Sequence, residues 1–114
     1  MSERCIFCDI IKKKIPSKIE LEEKELIAFQ DVNPKAPVHL LIIPREHIPL
    51  LDELKPKHLS LIGKMVDAAC RLAKEKGLTE GYRLVWNNGV QAGQSVFHIH
   101  LHLLGGRAMH WPPG

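Results

Sequence analysis

Ser95-Val96-Phe97-His98-Ile99-His100-Leu101-His102-Leu103-Leu104 is the most regular stretch of this 114-residue chain, with apolar side chains alternating with imidazoles. A period of two is that of a strand whose side chains point alternately to opposite faces, so the spacing predicts a strand from Ser95 to Leu104. Phe97, Ile99, Leu101 and Leu103 then share one face and the three imidazoles the other, with same-face neighbours ~6.7 Å apart. The apolar face needs a partner, and the segment from Pro56 to Lys76 offers one. There Leu59, Ile62, Val66, Ala69, Cys70 and Ala73 recur at three-and-four spacing. Pro56 suits a first helical position and Gly77 a left-handed stop. Cys70 lies on that stripe and reads as a small buried apolar side chain.

Shorter elements complete the pattern. Ile6, Phe7, Ile10 and Ile11 suggest a short helix over residues 6–13, ending near Lys14 before Ile15-Pro16. Strands are expected near Ile19–Leu21, at Leu26–Phe29, at Val38–Ile43 before Pro44, and at Gly81–Trp86. Asp31-Val32-Asn33-Pro34 has turn chemistry, and Asn87-Asn88-Gly89 leads into a Gly/Gln loop. One long helix, one short helix and about five strands make an α+β layer rather than a βαβ repeat. With no internal repeat and no linker, residues 1–114 are expected to form one domain.

Composition narrows the function classes. Sixteen Lys+Arg against thirteen Asp+Glu leave +3, with the signs interspersed. Lys12-Lys13-Lys14 and the following Glu20, Glu22, Glu23 and Glu25 read as solvated surface. Two Trp, three Phe and one Tyr provide no aromatic-basic alternation for stacking bases, which disfavours nucleic acid as the main partner. The longest aliphatic run, Leu40-Leu41-Ile42-Ile43, falls far short of the ~20 residues a membrane span needs. Met1-Ser2-Glu3-Arg4-Cys5 lacks the apolar core of a signal peptide, so a reducing, cytoplasmic location is expected.

The chemistry should lie where four of the seven histidines gather, at His98, His100, His102 and His110. On spacing alone the row has three readings. Its members could simply face solvent, two at i and i+2 could share a metal, or the middle imidazole could act as a nucleophile oriented by its neighbours. Upstream, Gly93-Gln94-Ser95 is a small turn that can bring backbone N–H groups and the Ser95 hydroxyl to an anion. Cys5 and Cys8 form a C-x-x-C with zinc-ligand spacing. No βαβ pattern surrounds that pair, which disfavours a thioredoxin-like role. His58, early in the helix, is expected to be exposed, and His110 to belong to the packing of the tail.

Gln94-Ser95-Val96-Phe97-His98-Ile99-His100-Leu101-His102-Leu103-Leu104 resembles the signature of the histidine-triad (HIT) superfamily. The end of the chain, Gly105-Gly106-Arg107-Ala108-Met109-His110-Trp111-Pro112-Pro113-Gly114, is similar to the C-terminus of its Hint branch. Phe29-Gln30-Asp31-Val32-Asn33-Pro34-Lys35-Ala36-Pro37, Ile43-Pro44-Arg45-Glu46-His47 and Gly81-Tyr82-Arg83 match in the same order. The resemblance implies a HIT-like fold whose antiparallel sheet continues across a homodimer, with tail 105–114 at the dimer and active-site rim. It implies a hydrolase cleaving the P–N bond of purine nucleoside 5′-phosphoramidates, with no cofactor in catalysis. A dinucleoside polyphosphate hydrolase of the same superfamily, or a purine-nucleotide-binding regulatory protein with incidental turnover, are the alternatives.

Residue by residue, the resemblance makes His100 the nucleophile that carries a nucleotidyl intermediate. His102 and Ser95 would hold phosphate oxygens or the leaving nitrogen, and His98 and His39 would keep His100 in register. Asp31 would accept the ribose hydroxyls, and Phe7, Ile10, Phe29, Val32 and Leu41 would form the slot for the base. Asn87, Gly93, Gln94 and Val96 would line the phosphate or ribose side, and Trp111 would reach toward the other subunit's site. The same resemblance implies a structural zinc on Cys5, Cys8, His47 and His98.

Overall fold

Val38–Pro44 is apolar at almost every position because both faces of the strand it forms are covered. In the computed structural model, which describes residues 5–114, this strand (β3) lies at the centre of a five-stranded antiparallel sheet. The others are β1 (Ile19–Glu22), β2 (Leu26–Gln30), β4 (Tyr82–Trp86) and β5 (Leu101–Gly105), in the order β1-β2-β3-β5-β4. Two α-helices, α1 (Ile6–Ile11) and α2 (Leu59–Glu75), cover opposite faces. Residues 1–4, on which most of the expectation about a leader rests, lie outside the described residues.

Strand alternation sorts the core into two compartments. Leu40 and Ile42 pair with Leu103 and Leu101. With Leu26, Ala28 and Ile99 these residues pack against Leu61, Met65, Ala68, Ala69, Leu72 and Ala73 of α2. The alternate residues of β2 and β3, Ile27, Phe29, Leu41 and Ile43, meet Phe7 and Ile10 of α1. His39 shares the strand face of Leu41, and Leu41 pairs with His102 across the ladder. The imidazoles therefore stand on the side covered by α1.

Three expectations need correction. The predicted strand Ser95–Leu104 is regular only from Leu101. Residues 95–100 run outside the ladder, where Ile99 N–H donates to the Ile48 carbonyl at 2.7 Å. Phe97 is accordingly 41% exposed instead of sharing the core face with Ile99, Leu101 and Leu103. The helix begins as a 3-10 turn at Pro56–His58, and its buried stripe is turned by roughly a quarter revolution from the one expected. Leu59 and Cys70 are exposed, while Ile62 and Val66 sit on the margin of the core. Both stripes satisfy helical spacing, and the bulkier Leu61, Met65 and Leu72 fill the space over the sheet. His58 is buried, because its ring closes the 3-10 turn: Nδ1 accepts from Lys55 N–H at 2.9 Å and Nε2 lies 3.1 Å from Glu46 Oε2.

Candidate active site and metal centre

The two ring nitrogens of His100 have different surroundings. Nδ1 is 2.8 Å from the His98 carbonyl, which can only accept, so Nδ1 carries the proton. In the neutral ring the lone pair is then on Nε2. Burial disfavours the imidazolium and holds the pKa of His100 below the usual imidazole value, which keeps that lone pair available near neutral pH. The ring of Phe7 in α1 stands nearly perpendicular to the His100 ring at a centroid distance of 5.1 Å, and the His102 ring lies 5.0 Å away. A neutral, buried imidazole with its orientation fixed through the other nitrogen has the form of an activated nucleophile.

His102 is held differently. Its Nδ1 lies 2.9 Å from Nε2 of His39, and its Nε2 is buried with no hydrogen-bond partner among the described residues. Burial and the neighbouring His100 and His39 lower its pKa to about 4. His39, expected to help keep His100 in register, makes its direct contact with His102. It is 3.3 Å from Asp31 Oδ2, and burial holds its own pKa down despite that carboxylate. The other Asp31 oxygen accepts from Asn33 N–H at 2.8 Å, closing the turn before β3.

The remaining expected site residues fall into three groups. Phe7, Ile10, Phe29 and Leu41 form one buried cluster with Val96 at its margin, whereas Val32 is 97% exposed and outside it. Gly93 takes φ +98° at the end of a 3-10 turn, a left-handed conformation that a side chain would strain. Asn87 is half-buried and Ser95 exposed. Gln94 is buried: its Oε1 accepts from Gly89 N–H at 2.7 Å, and its Nε2 donates to the Pro49 and Val96 carbonyls at 2.8 and 3.1 Å. It thus ties the segment that carries Ser95 and Val96 to Gly89 and to Pro49. Trp111 stands 82% exposed on the tail. The Arg107 guanidinium fastens that tail to the Lys35 carbonyl, and Arg83 binds the His110 carbonyl at 2.8 Å.

Cys5, Cys8, His47 and His98 converge at the N-terminus of α1, their four donor atoms all within 4.8 Å of one another. The sulfur–nitrogen separations are 3.5 Å from Cys5 to His98, 3.4 Å from Cys8 to His47 and 3.7 Å from Cys8 to His98. The two Nδ1 atoms are 3.2 Å apart. Tetrahedral zinc with Zn–S near 2.3 Å and Zn–N near 2.05 Å requires about 3.6 Å for S···N and about 3.4 Å for N···N. The donor set therefore fits zinc in both type and spacing. His98 Nε2 donates to the Pro44 carbonyl at 2.8 Å, which leaves Nδ1 unprotonated toward the thiols. Burial and Cys5 push the Cys8 thiol up to about 11, a direction that a cation at this point reverses.

Sequence reasoning missed the Gln94 tie, the burial of His58 and the place of His39. Only His58 left a local signal, three residues after Lys55 at a helix start, where a side chain can close the first turn.

The family described as "Scavenger mRNA decapping enzyme C-term binding" matches residues 4–110. A "14 kDa zinc-binding protein" of Zea mays is 48% identical over 96% of this chain and 87% of its own length. "Adenylylsulfatase HINT1" of Arabidopsis thaliana is 46% identical over 96% of this chain and 76% of its own.

The chain belongs to the HIT superfamily.

Its HIT fold superposes on the crystal structure of a HIT family hydrolase from Legionella pneumophila with a TM-score of 0.95. The two are 46% identical, over 97% of this chain and all of that one. The relatives include Hint-branch proteins, and their names support hydrolase chemistry for this HIT chain. No helix among the described residues is long and apolar enough to cross a membrane.

Proposed function

We propose that this protein hydrolyses purine nucleoside 5′-phosphoramidates through a nucleotidyl-histidine on His100. The observation that carries this reading is the fixed tautomer of His100, with Nδ1–H on the His98 carbonyl and the Nε2 lone pair free. Nε2 attacks phosphorus in line, the Nε2–P bond forms, and the P–N bond to the amine breaks. The leaving amine takes up one proton. Water then attacks the same phosphorus, one of its protons is released, and the nucleoside monophosphate departs from Nε2. Phosphoryl transfer depends mainly on placement and on stabilising the equatorial oxygens. His102 Nε2 and the Ser95 hydroxyl supply the hydrogen bonds for that. Phe7, Ile10, Phe29 and Leu41 provide the apolar wall against which the base rests, Asp31 accepts from the ribose, and Asn87, Gly93 and Val96 border the phosphate side. The name of the Arabidopsis thaliana relative, an adenylylsulfatase, supports an adenylyl group as the group transferred, with a variable leaving group.

Zinc on Cys5, Cys8, His47 and His98 would cross-link α1 to the segments carrying His47 and His98, with four protein ligands and no open position for substrate. The thiol ligands suit a reducing cytoplasm. β4 is an edge strand of the sheet, which supports its continuation in a second copy, with residues 1–114 as one domain and tail 105–114 at the shared rim.

The deciding test compares hydrolysis of an adenosine 5′-phosphoramidate with that of a diadenosine polyphosphate, using His100→Ala as control. Preferential phosphoramidate cleavage, lost in the variant along with a nucleotidyl adduct detectable by mass, is expected. A preference for polyphosphate assigns the other hydrolase branch. Nucleotide binding without turnover of either leaves a binding protein.

A further inference from the structure

The two cysteines of the metal centre sit in one turn of chain, whereas its two histidines come from distant segments. Cys5 caps α1, and its Sγ accepts the Cys8 N–H at 3.4 Å. His47 follows β3 and His98 precedes β5. Zinc on all four residues would join these three segments, with its two sulfurs about 3.8 Å apart. A disulfide between the same sulfurs closes to about 2.05 Å and joins the start of α1 only to itself. The two arrangements exclude each other. The donors are also within reach of a small solute. Cys5 and Cys8 are half-buried, His47 is exposed, and all three line an open groove of about 1070 Å³ that extends to Ser95 and Phe97. The third cysteine, Cys70, lies on α2 across the sheet, so within one chain Cys5 and Cys8 have only each other to pair with.

We infer that Cys5 and Cys8, holding zinc as proposed above, form an oxidative modification site at which hydrogen peroxide converts the two thiolates to a disulfide and the metal is released. One thiolate sulfur attacks a peroxide oxygen, the O–O bond breaks, and a sulfenic acid forms as hydroxide leaves. The second thiolate attacks that sulfur, the S–S bond forms, and a second hydroxide leaves. Two protons turn both hydroxides into water, and the two sulfurs have together given two electrons to the peroxide. His47 and His98 then remain as the metal's only ligands, too few for a tetrahedral site.

The exchange replaces a long-range tie with a local one. Zinc would close the chain from Cys5 to His98, whereas the disulfide closes only the turn from Cys5 to Cys8. A short loop constrains the unfolded chain far less, so the disulfide does not make good the stability lost with the metal. α1 also carries Phe7, whose ring centroid stands 5.8 Å from that of His98 and 5.1 Å from that of His100. Freeing α1 from the His47 and His98 segments loosens this packing beside the imidazole row.

The test titrates the reduced, zinc-loaded full chain with hydrogen peroxide, after its zinc content has been measured. Trypsin cleavage at Arg4 and Lys12 releases Cys5 and Cys8 in one peptide, which should become lighter by two hydrogens. A chromogenic chelator should register one zinc released per disulfide formed. The thermal midpoint of the oxidised protein should fall to that of the chelated one, and phosphoramidate turnover should drop roughly tenfold. Reductant and zinc together should restore both. Cys70→Ser should respond as the wild type does, and Cys8→Ser should form no disulfide in this peptide. Should Cys8→Ser not fold, the wild-type peptide map decides alone. Zinc released with both sulfurs still reduced, a disulfide formed with zinc retained, or an oxidised protein as stable as the zinc-loaded one overturns the inference. Turnover unchanged by oxidation overturns its reach to the imidazole row. A reduced protein that takes up no zinc overturns the zinc site itself, and the exchange with it, whereas a zinc-loaded protein that resists peroxide overturns the exchange alone.

Discussion

His98 serves two sites with three of its atoms. Its carbonyl accepts the proton of His100, its Nε2–H reaches Pro44, and its Nδ1 faces the two cysteine thiols. Replacing the side chain keeps that carbonyl but removes both the nitrogen facing the thiols and the Pro44 anchor that holds this backbone in place. Metal content should therefore fall directly, and turnover through the loosened hold on His100. His98→Ala is expected to lower zinc retention, measured by metal analysis after gel filtration, and to reduce kcat at least tenfold. His102 makes a separate prediction. Its pKa is about 4 in the folded protein against ~6.5 for an unperturbed imidazole, so between those values the unfolded chain binds the extra proton. The stability associated with this residue is present above about pH 6.5 and is lost as the pH falls toward 4. Urea midpoints measured from pH 7.5 to 4.5 should decline less steeply for His102→Gln than for the wild type. A parallel decline would remove His102 as a source of the effect.

Among the elements, α2 shows how far spacing can go. Apolar residues lie on more than one side of it, and the choice between two faces rests on which set fits the sheet. Met65→Ala, at a fully buried position, should cost about 2–5 kcal/mol in chemical denaturation. Cys70→Ser, on the exposed side, should change stability by no more than about 0.5 kcal/mol. The reverse result would mean that the face expected from spacing is the buried one. β3 was legible because a strand covered on both sides has no polar alternation to confuse it. Ser95–His100 was not, because its periodicity matches a strand while its backbone is committed to the Ile48 carbonyl and the His100 ring. The imidazole row could be read from alternation. The His39–His102 contact could not, since it joins residues 63 apart and depends on the register of β3 with β5.

For the whole molecule, the C-x-x-C at the start of the chain, the Pro44–His47 turn and the triad segment meet at one point. A metal bound there stabilises the folded chain over the unfolded one by linkage. Chelation is expected to lower the thermal midpoint by several degrees, and zinc alone to restore it. No change on chelation in a protein shown by analysis to have lost its zinc would sink the structural role. The proposed continuation of the sheet through β4 into a second copy predicts that the same midpoint rises with protein concentration, which scanning at two concentrations a hundredfold apart would detect.

The order β1-β2-β3-β5-β4 places the last strand of the chain between two strands made earlier. On a ribosome, β3 and β4 emerge with no neighbour on their facing edges, and the α2 surface remains open where Leu101 and Leu103 will lie. A nascent chain halted before residue 101 cannot close its sheet, because it lacks β5 and, within it, His102. Completion of the sheet and completion of the imidazole row are thus the same late event, so stalled or prematurely terminated products should be recognisable to quality control by two unpaired strand edges and, on the proposed chemistry, should carry no partial activity.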